Sequence, residues 1–187
     1  FINNGVTYTE DSGPEGDPNR LRGMVGTKGL FNINPRWTFG WDILAQTDKN
    51  FSNTYGIGGF QDIVHRSEVY LTGLNERNYF DLRAMRFEVQ EEVLDTSPAA
   101  RNDKQPWVLP SFDYAYIPDQ PVLGGEIKIA LNAREIKRDE LHFNDDAPAV
   151  RGIEGEDGRV TAEAEWKKSI VTPGGMVVSP LLAVRGN

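Results

Sequence analysis

The sequence Arg-Trp-Thr-Phe-Gly-Trp-Asp-Ile-Leu-Ala-Gln, at residues 36–46, decides the fold class. Its alternate positions carry only apolar side chains: Trp37, Phe39, Trp41, Ile43 and Ala45. Successive side chains of a β-strand point to opposite faces, whereas a helical period near 3.6 would scatter these residues around a cylinder. The stretch therefore predicts a strand with one apolar and one polar face, and Leu44 on the polar face is the exception.

Two further segments alternate in the same way. Between Gly125 and Arg134 one face carries Ile127, Ile129, Leu131 and Ala133, and the opposite face carries Glu126, Lys128, Asn132 and Arg134. Between Arg159 and Lys167 they are Val160, Ala162, Ala164 and Trp166. Weaker strand patterns cover residues 1–10, 20–32, 66–73, 79–93, 107–117 and 175–185. The chain is therefore predicted to form about nine strands.

Two of the weaker strands predict irregularities. Within residues 79–93 the apolar positions change phase, from the set that contains Leu82 to the set that contains Phe87. That change predicts a β-bulge, or a strand that leaves its apolar environment. Pro180 has no N–H to donate to a neighbouring strand, so it predicts a second bulge within residues 175–185.

The connections between the predicted strands alternate in length. The long ones cover residues 11–19, 47–65, 94–106 and 135–158, and the short ones cover residues 33–35, 74–78, 118–122 and 169–174. If each strand crosses the sheet once, all long connections lie at one end. Tight periplasmic turns and longer extracellular loops are typical of bacterial outer-membrane barrels. We therefore predict an all-β fold of antiparallel up-and-down strands, with residues 1–187 as a single segment of a transmembrane barrel.

A soluble β-sandwich or jelly roll is the alternative, because its strands alternate in the same way around a dry core. Two features favour the barrel. Greek-key connections would disrupt the regular alternation of loop lengths. The polar faces also carry Glu, Lys, Arg and Asp over the whole length of the strands, which a water-filled lumen allows.

Composition excludes several classes of protein. The chain has 187 residues, a formal net charge of -8 and an isoelectric point near 4.8, whereas a nucleic-acid binder needs a basic face. No apolar run approaches the roughly 20 residues of a transmembrane helix. The absence of cysteine excludes disulfides, zinc-thiolate sites and a cysteine nucleophile within the chain. A mean hydropathy of -0.49 fits a soluble protein and a barrel equally well.

No constellation of residues indicates an enzyme. His65 and His142 have no metal-binding spacing, and both are predicted to be histidines of surface loops. The neighbouring carboxylates of residues 91–92 and 145–146 point in opposite directions in an extended chain, so they are poor acid–base pairs. No GxSxG motif occurs, and the glycine clusters do not precede a helix. We predict no catalytic residue, no metal site and no cofactor.

The alternation also assigns individual side chains, if the strands cross a bilayer. The residues predicted to face lipid are Trp37, Phe39, Trp41, Ile43, Ile127, Ile129 and Leu131. Because Trp37 and Trp166 lie close to predicted short turns, they are candidates for an aromatic girdle at the membrane interface. The cations predicted to face the lumen are Lys128, Arg134, Arg159 and Lys167.

Several motifs resemble one family. Residues 36–42 with residues 46–51, Gln-Thr-Asp-Lys-Asn-Phe, resemble a strand and loop of the LptD (OstA/Imp) family of LPS-assembly proteins. Further similar stretches follow in order: Asn-Glu-Arg-Asn-Tyr at 75–79, Gln-Pro-Trp-Val-Leu-Pro at 105–110, Val-Arg-Gly-Ile at 150–153, Asp-Gly-Arg at 157–159 and Pro-Gly-Gly at 173–175. Together they span about residues 22–180 and are similar to LptD of the alphaproteobacterial branch, in the middle part of its C-terminal β-barrel.

The resemblance implies a place in the Gram-negative cell outer membrane and a function in the final step of lipopolysaccharide export, its insertion into the outer leaflet. Family members have an LptE-type plug lipoprotein and receive lipopolysaccharide from a periplasmic LptA-type bridge through an N-terminal jelly-roll domain. That domain, the remaining barrel strands and the family's disulfide cysteines have no counterpart in residues 1–187. The resemblance makes the four lumen cations candidate contacts for lipopolysaccharide phosphates. The alternatives are a soluble sandwich that binds carbohydrate or lipid, and a porin or receptor barrel.

Overall fold

A computed structural model of the chain describes residues 2–10, 21–47, 51–90, 104–144 and 149–187. Its strands are β1 Ile2–Glu10, β2 Leu21–Asn34, β3 Trp37–Gln46, β4 Val64–Asn75, β5 Asn78–Val89, β6 Trp107–Tyr116, β7 Glu126–Arg138, β8 His142–Asn144, β9 Ala149–Gly152, β10 Gly155–Lys167, β11 Ile170–Val171, β12 Val177–Val178 and β13 Leu181–Gly186. A single helical turn, α1, covers Phe51–Thr54. Within the described ranges, no helix has the length and apolarity needed to span a bilayer.

One sheet contains most of these strands. It has nine strands in the order β1-β2-β3-β4-β5-β6-β7-β10-β13, and every neighbouring pair is antiparallel. The short strands form two separate pairs, β8 with β9 and β11 with β12. The prediction of an all-β, antiparallel, up-and-down fold is therefore confirmed, and the sheet is consistent with part of a barrel.

Two connections at one end of the sheet are tight, and a third, residues 117–125 between β6 and β7, is longer. Residues 35–36 join β2 to β3, and residues 76–77 join β4 to β5. In the first turn the side-chain oxygen of Asn34 accepts hydrogen bonds from the backbone N–H groups of Arg36 and Trp37, at 2.9 and 3.1 Å. The Asn34 side chain thus supplies the hydrogen-bond acceptor that these two N–H groups lack where the chain reverses. At the opposite end the connections 47–63, 90–106 and 139–154 are long, as predicted.

One predicted connection is wrong in its bounds. The chain between β10 and β13 runs from 168 to 180 and includes the β11–β12 pair, whereas the sequence predicted a short turn at 169–174. Pro180 directly precedes β13 instead of interrupting a strand. A proline at the start of a strand has no N–H to donate and needs no bulge there.

The bulge predicted from the phase change in β5 lies in the neighbouring strand. Residues of β5 pair with β4 without a shift, but Arg83 pairs with Ser111 and Met85 with Val108. Two residues of β6, including Pro110, thus stand opposite one residue of β5. The pairing of β6 with β7 shifts between the same residues, Val108 and Ser111. Because Pro110 has no N–H, a bulge is the place where a central strand tolerates it.

Candidate functional site

The strand register divides the nine-stranded sheet into two chemically distinct faces. Residues that are direct partners in antiparallel strands project to the same side of a sheet. Trp41 is the partner of Gly29 on β2 and of Val69 on β4, so these three positions share a face. We call this side, continued across β2 to β13, the apolar face, and the opposite side the polar face.

The apolar face is almost entirely hydrophobic. Its large side chains are Val25, Phe31, Trp37, Phe39, Trp41, Ile43, Val69, Leu71, Phe80, Leu82, Phe112, Tyr114, Tyr116, Ile127, Ile129, Leu131, Val160, Trp166, Leu182 and Val184. Many are exposed, up to 74 % for Val184. A continuous exposed apolar surface on this scale indicates contact with an apolar medium or another apolar surface. All seven residues expected to face lipid lie on it.

Aromatic rings form a connected line on the apolar face. The ring centroids of Trp37 and Phe80 are 5.1 Å apart, and those of Phe80 and Phe112 are 5.5 Å apart. The line continues with Tyr114, whose centroid is 6.3 Å from that of Phe112, and with Tyr116, 6.4 Å from Tyr114. These are the edge-to-face and offset distances at which aromatic pairs attract. The line ends near the tight turns.

Glycines on the apolar face make room for tryptophan rings. A Cβ atom at Gly73 would lie 2.8 Å from the ring of Trp37, and the ring of Trp41 covers Gly29 in the same way. Covering a glycine with a cross-strand aromatic ring protects its backbone and pins the register. At the end of β10, Trp166 donates from Nε1 to the carbonyl oxygen of Val122, at 2.8 Å. Its ring therefore has an apolar side and a satisfied polar tip, which suits a membrane interface.

The polar face carries a network of ion pairs on β4 and β5. The guanidinium of Arg83 contacts Asp81 at 2.6 Å and Glu68 at 3.4 Å. Arg66 also binds Glu68, at 2.9 Å, and the hydroxyl of Tyr79 donates to Asp81. The two carboxylates are buried. Since a buried carboxylate without a partner is strongly disfavoured, these cations hold the centre of the polar face together.

All four cations singled out from the sequence lie on the polar face, but their surroundings differ. Lys128 is the cross-strand partner of Glu165. Lys167 is the partner of Glu126 and binds it at 3.0 Å. Arg134 and Arg159 are partners of each other. The sequence placed the four on one face, and the structure shows that each lysine stands opposite a glutamate whereas the two arginines stand opposite each other.

The polar face also holds a small apolar cluster, which the sequence did not predict. Residues 51–60, which we call the cap, fold onto β2 and β3 and bury Phe51 and Phe60 against Met24 and Leu44. Burial of each ring stabilises the cap by about 1.5–3 kcal/mol. Leu44 departs from the alternation of β3 because the cap covers it.

Two polar side chains, one directly after β5 and one on β2, hold the cap against the sheet. Gln90 is fully buried, and with its amide nitrogen turned toward the cap it donates to the carbonyl oxygens of Phe60 and Asp62, at 2.7 and 2.9 Å. Its backbone N–H donates to Ile63. Lys28 lies over the ring of Phe60, 4.8 Å from its centroid. The only signal in the sequence for the packing of the cap onto the sheet was the apolar Leu44 on a polar face.

One histidine prediction is wrong. His65 lies in β4 with 2 % of its surface exposed, against the ring of Phe60 and 3.2 Å from Asp42. The cap covers it, which a sequence cannot reveal because the contact is made across the fold. The side chain of His142 and the residue pairs 91–92 and 145–146 lie outside what the structure describes. Among the described residues, no cluster of His, Asp and Glu is arranged to hold a metal ion.

An open cavity of about 580 Å³ lies at the tight-turn end. Three cations line it, Arg77, Lys167 and Lys168, together with Glu126, which binds both Arg77 and Lys167. Arg77 also donates to the carbonyl oxygen of Pro118. The ion-paired residues Arg77, Glu126 and Lys167 join the turn between β4 and β5 to the neighbouring ends of β7 and β10. They therefore have a structural function.

A family model described as LptD, LPS transport system D, matches residues 20–187. No curated protein and no solved structure matches the chain significantly.

Proposed function

The chain belongs to the LptD family, LPS transport system D, and from this premise we propose that residues 1–187 form one segment of the wall of an outer-membrane barrel that inserts lipopolysaccharide into the outer leaflet. Membership assigns the chain to lipopolysaccharide transport. The location in the outer membrane and the translocon activity are our proposal. A transport protein of this kind needs no catalytic residue, and we assign none.

The observation that carries the proposal is the two-faced sheet. Within the described residues, the apolar face has no second layer of strands or helices packed on it, and side chains such as Leu182 and Val184 are more than half exposed. A β-sandwich would cover that face with a second sheet. A barrel wall instead turns it toward lipid and keeps the charged face in contact with water. The geometry therefore supports a barrel over a soluble sandwich.

The polar face suits the passage of a lipid head group that carries sugars and phosphates. Asp, Glu, Arg and Lys side chains line it from β2 to β10. We propose that Lys128, Arg134, Arg159 and Lys167 are its candidate contacts for phosphates, since charge-assisted hydrogen bonds to phosphate are strong. As partners we propose an LptE-type plug lipoprotein and a periplasmic LptA-type bridge.

A pair of neighbouring positions tests the proposal. Leu131 and Asn132 are adjacent on β7 but project to opposite faces. A photoreactive amino acid at Asn132 of the full-length protein should capture lipopolysaccharide in growing cells, and the adduct should disappear when lipopolysaccharide synthesis is blocked. The same amino acid at Leu131 should capture membrane phospholipid whether or not synthesis continues. Recovery of the protein in the soluble fraction, with no lipid adduct at Leu131, would favour a soluble β-sandwich over a barrel.

A further inference from the structure

The structure distinguishes among the four candidate cations of the polar face. Direct partners of an antiparallel pair have Cβ atoms about 5 Å apart, close enough for like charges to destabilise the sheet. Lys128 stands opposite Glu165, and Lys167 binds Glu126. Lys167 therefore has its charge compensated by an ion pair with the neighbouring strand, and Lys128 stands opposite a residue of opposite charge. Arg134 and Arg159 stand opposite each other, so this pair carries a repulsion that the lysines avoid.

The arginine pair is part of a single cross-strand row. Arg83 on β5 is the partner of Ser111 on β6, which is the partner of Arg134 on β7, which is the partner of Arg159 on β10. The backbone positions of three arginines on the polar face thus lie in one cross-strand row. Ser111, between the first two, is small and is itself buried. In a barrel this row would run around the inner wall.

The three arginines of the row are neutralised to different degrees. Arg83 is held by Asp81 and Glu68, at 2.6 and 3.4 Å. The nearest carboxylate oxygen of Asp113 is 3.9 Å from Arg134, and the other oxygen of Asp113 accepts a hydrogen bond from Asn132 at 2.5 Å.

Arg159 has even less compensation than Arg134. In the described part of the chain it makes no ion pair, although Asp157 lies two residues away on the same face. The two opposed arginines therefore keep unused N–H donors that point along one face. Two planar guanidinium forks match the oxygen geometry of a phosphate group better than ammonium groups do.

We propose that Arg134 and Arg159 together form a phosphate-binding site on the polar face, whose ligand is a phosphomonoester or pyrophosphate group of the transported lipid head group. The site rests on the proposed function for the identity of its ligand, but its chemistry does not. A bound phosphate would remove the repulsion between the two guanidinium groups. The lysines Lys128 and Lys167 then contribute to the general potential of the wall.

The test uses full-length protein in detergent and three probes: lipopolysaccharide, the same lipopolysaccharide after enzymatic dephosphorylation, and inorganic pyrophosphate. The variant is R134Q/R159Q, which removes both positive charges and both guanidinium forks but keeps polar side chains at the two positions. The control is R185Q, which removes a polar-face arginine that stands opposite Glu163. Thermal unfolding of each variant establishes that it is folded.

We expect R134Q/R159Q to bind phosphorylated lipopolysaccharide about ten- to hundredfold more weakly, and to lose the preference over the dephosphorylated form. R185Q should retain both. An unchanged preference in the double variant overturns the proposal. If pyrophosphate binds the wild type and not the double variant while lipopolysaccharide binds neither, the arginine site stands and the proposed function fails. If pyrophosphate and lipopolysaccharide bind both proteins equally, the arginine site fails and the proposed function stands.

Discussion

The ring of Phe60 occupies the space that a side chain at Gly26 would need: a Cβ atom there would lie 2.5 Å from Cζ of Phe60. Gly26 lies on β2 and Phe60 at the end of the cap, so this contact joins the cap to the wall. Only glycine allows the ring to reach the backbone so closely.

A larger residue at Gly26 should therefore release the cap. In G26V the valine side chain takes the place of the ring, and we expect local destabilisation of the cap by about 1–3 kcal/mol, typical of overpacking. Limited chymotrypsin digestion of the folded protein should then cut near Tyr55 and Phe60. The matched control is G58A, since nothing lies within 4 Å of a Cβ at Gly58. Equal protease resistance in G26V and wild type would contradict the contact.

Arginine on the two faces of β3 should have opposite consequences. Phe39 lies on the apolar face and Thr38, its neighbour, on the polar face. If the apolar face meets lipid, F39R should lower the free energy of unfolding in lipid vesicles by about 2–4 kcal/mol near mid-bilayer, and less near an interface. T38R should lower the free energy of unfolding by much less. Denaturant titration of the barrel refolded in vesicles measures both, and equal stability of the two variants would remove the lipid assignment.

Removal of Arg83 should be more costly than removal of an exposed cation. R83M leaves the buried Asp81 without its main partner and Glu68 with Arg66 alone. We therefore expect a loss of about 3 kcal/mol, the lower end for a broken buried pair because Arg83 is itself 30 % exposed. K137M breaks the exposed Lys137–Glu156 pair, which should leave the free energy of unfolding nearly unchanged. The same denaturant titration compares them. Similar losses in both variants would mean that the Arg83 network does not stabilise the wall.

The positions of the connections can be tested by labelling on intact cells. Residues 1–187 contain no cysteine, so a single cysteine can be introduced at Gln61, Glu140 or Glu76. Gln61 and Glu140 lie in the long connections and Glu76 in a tight turn at the other end of the sheet. An impermeant maleimide should react at Gln61 and Glu140 only, because each strand crosses the membrane once. Reaction at Glu76, with protection at the other two, would invert the topology. The surface loops expected at residues 11–19 lie outside the described residues.

The alternation of side chains along a strand is a local property of an L-amino-acid chain, and it was therefore accessible from the sequence. Residues 36–46 predicted a two-faced strand, and β3 has that form. The same argument predicted about nine strands and the common face of Lys128, Arg134, Arg159 and Lys167. The lengths of the connections predicted the two tight turns at 35–36 and 76–77. None of these conclusions depends on which strands are neighbours in the sheet.

Cross-strand contacts were not accessible in this way. Whether a cation on β7 meets Glu165 or Arg159 depends on the register between β7 and β10, which are separated by a long connection and are aligned by all the contacts of the sheet together. The burial of His65 likewise depends on the cap, which is held by Gly26 and Gln90 from strands distant in the sequence. The sequence by itself determined which face each side chain occupies, because the pleat of a strand is local. The tertiary structure alone decided the neighbours on that face, because register and loop packing are cooperative and long-range.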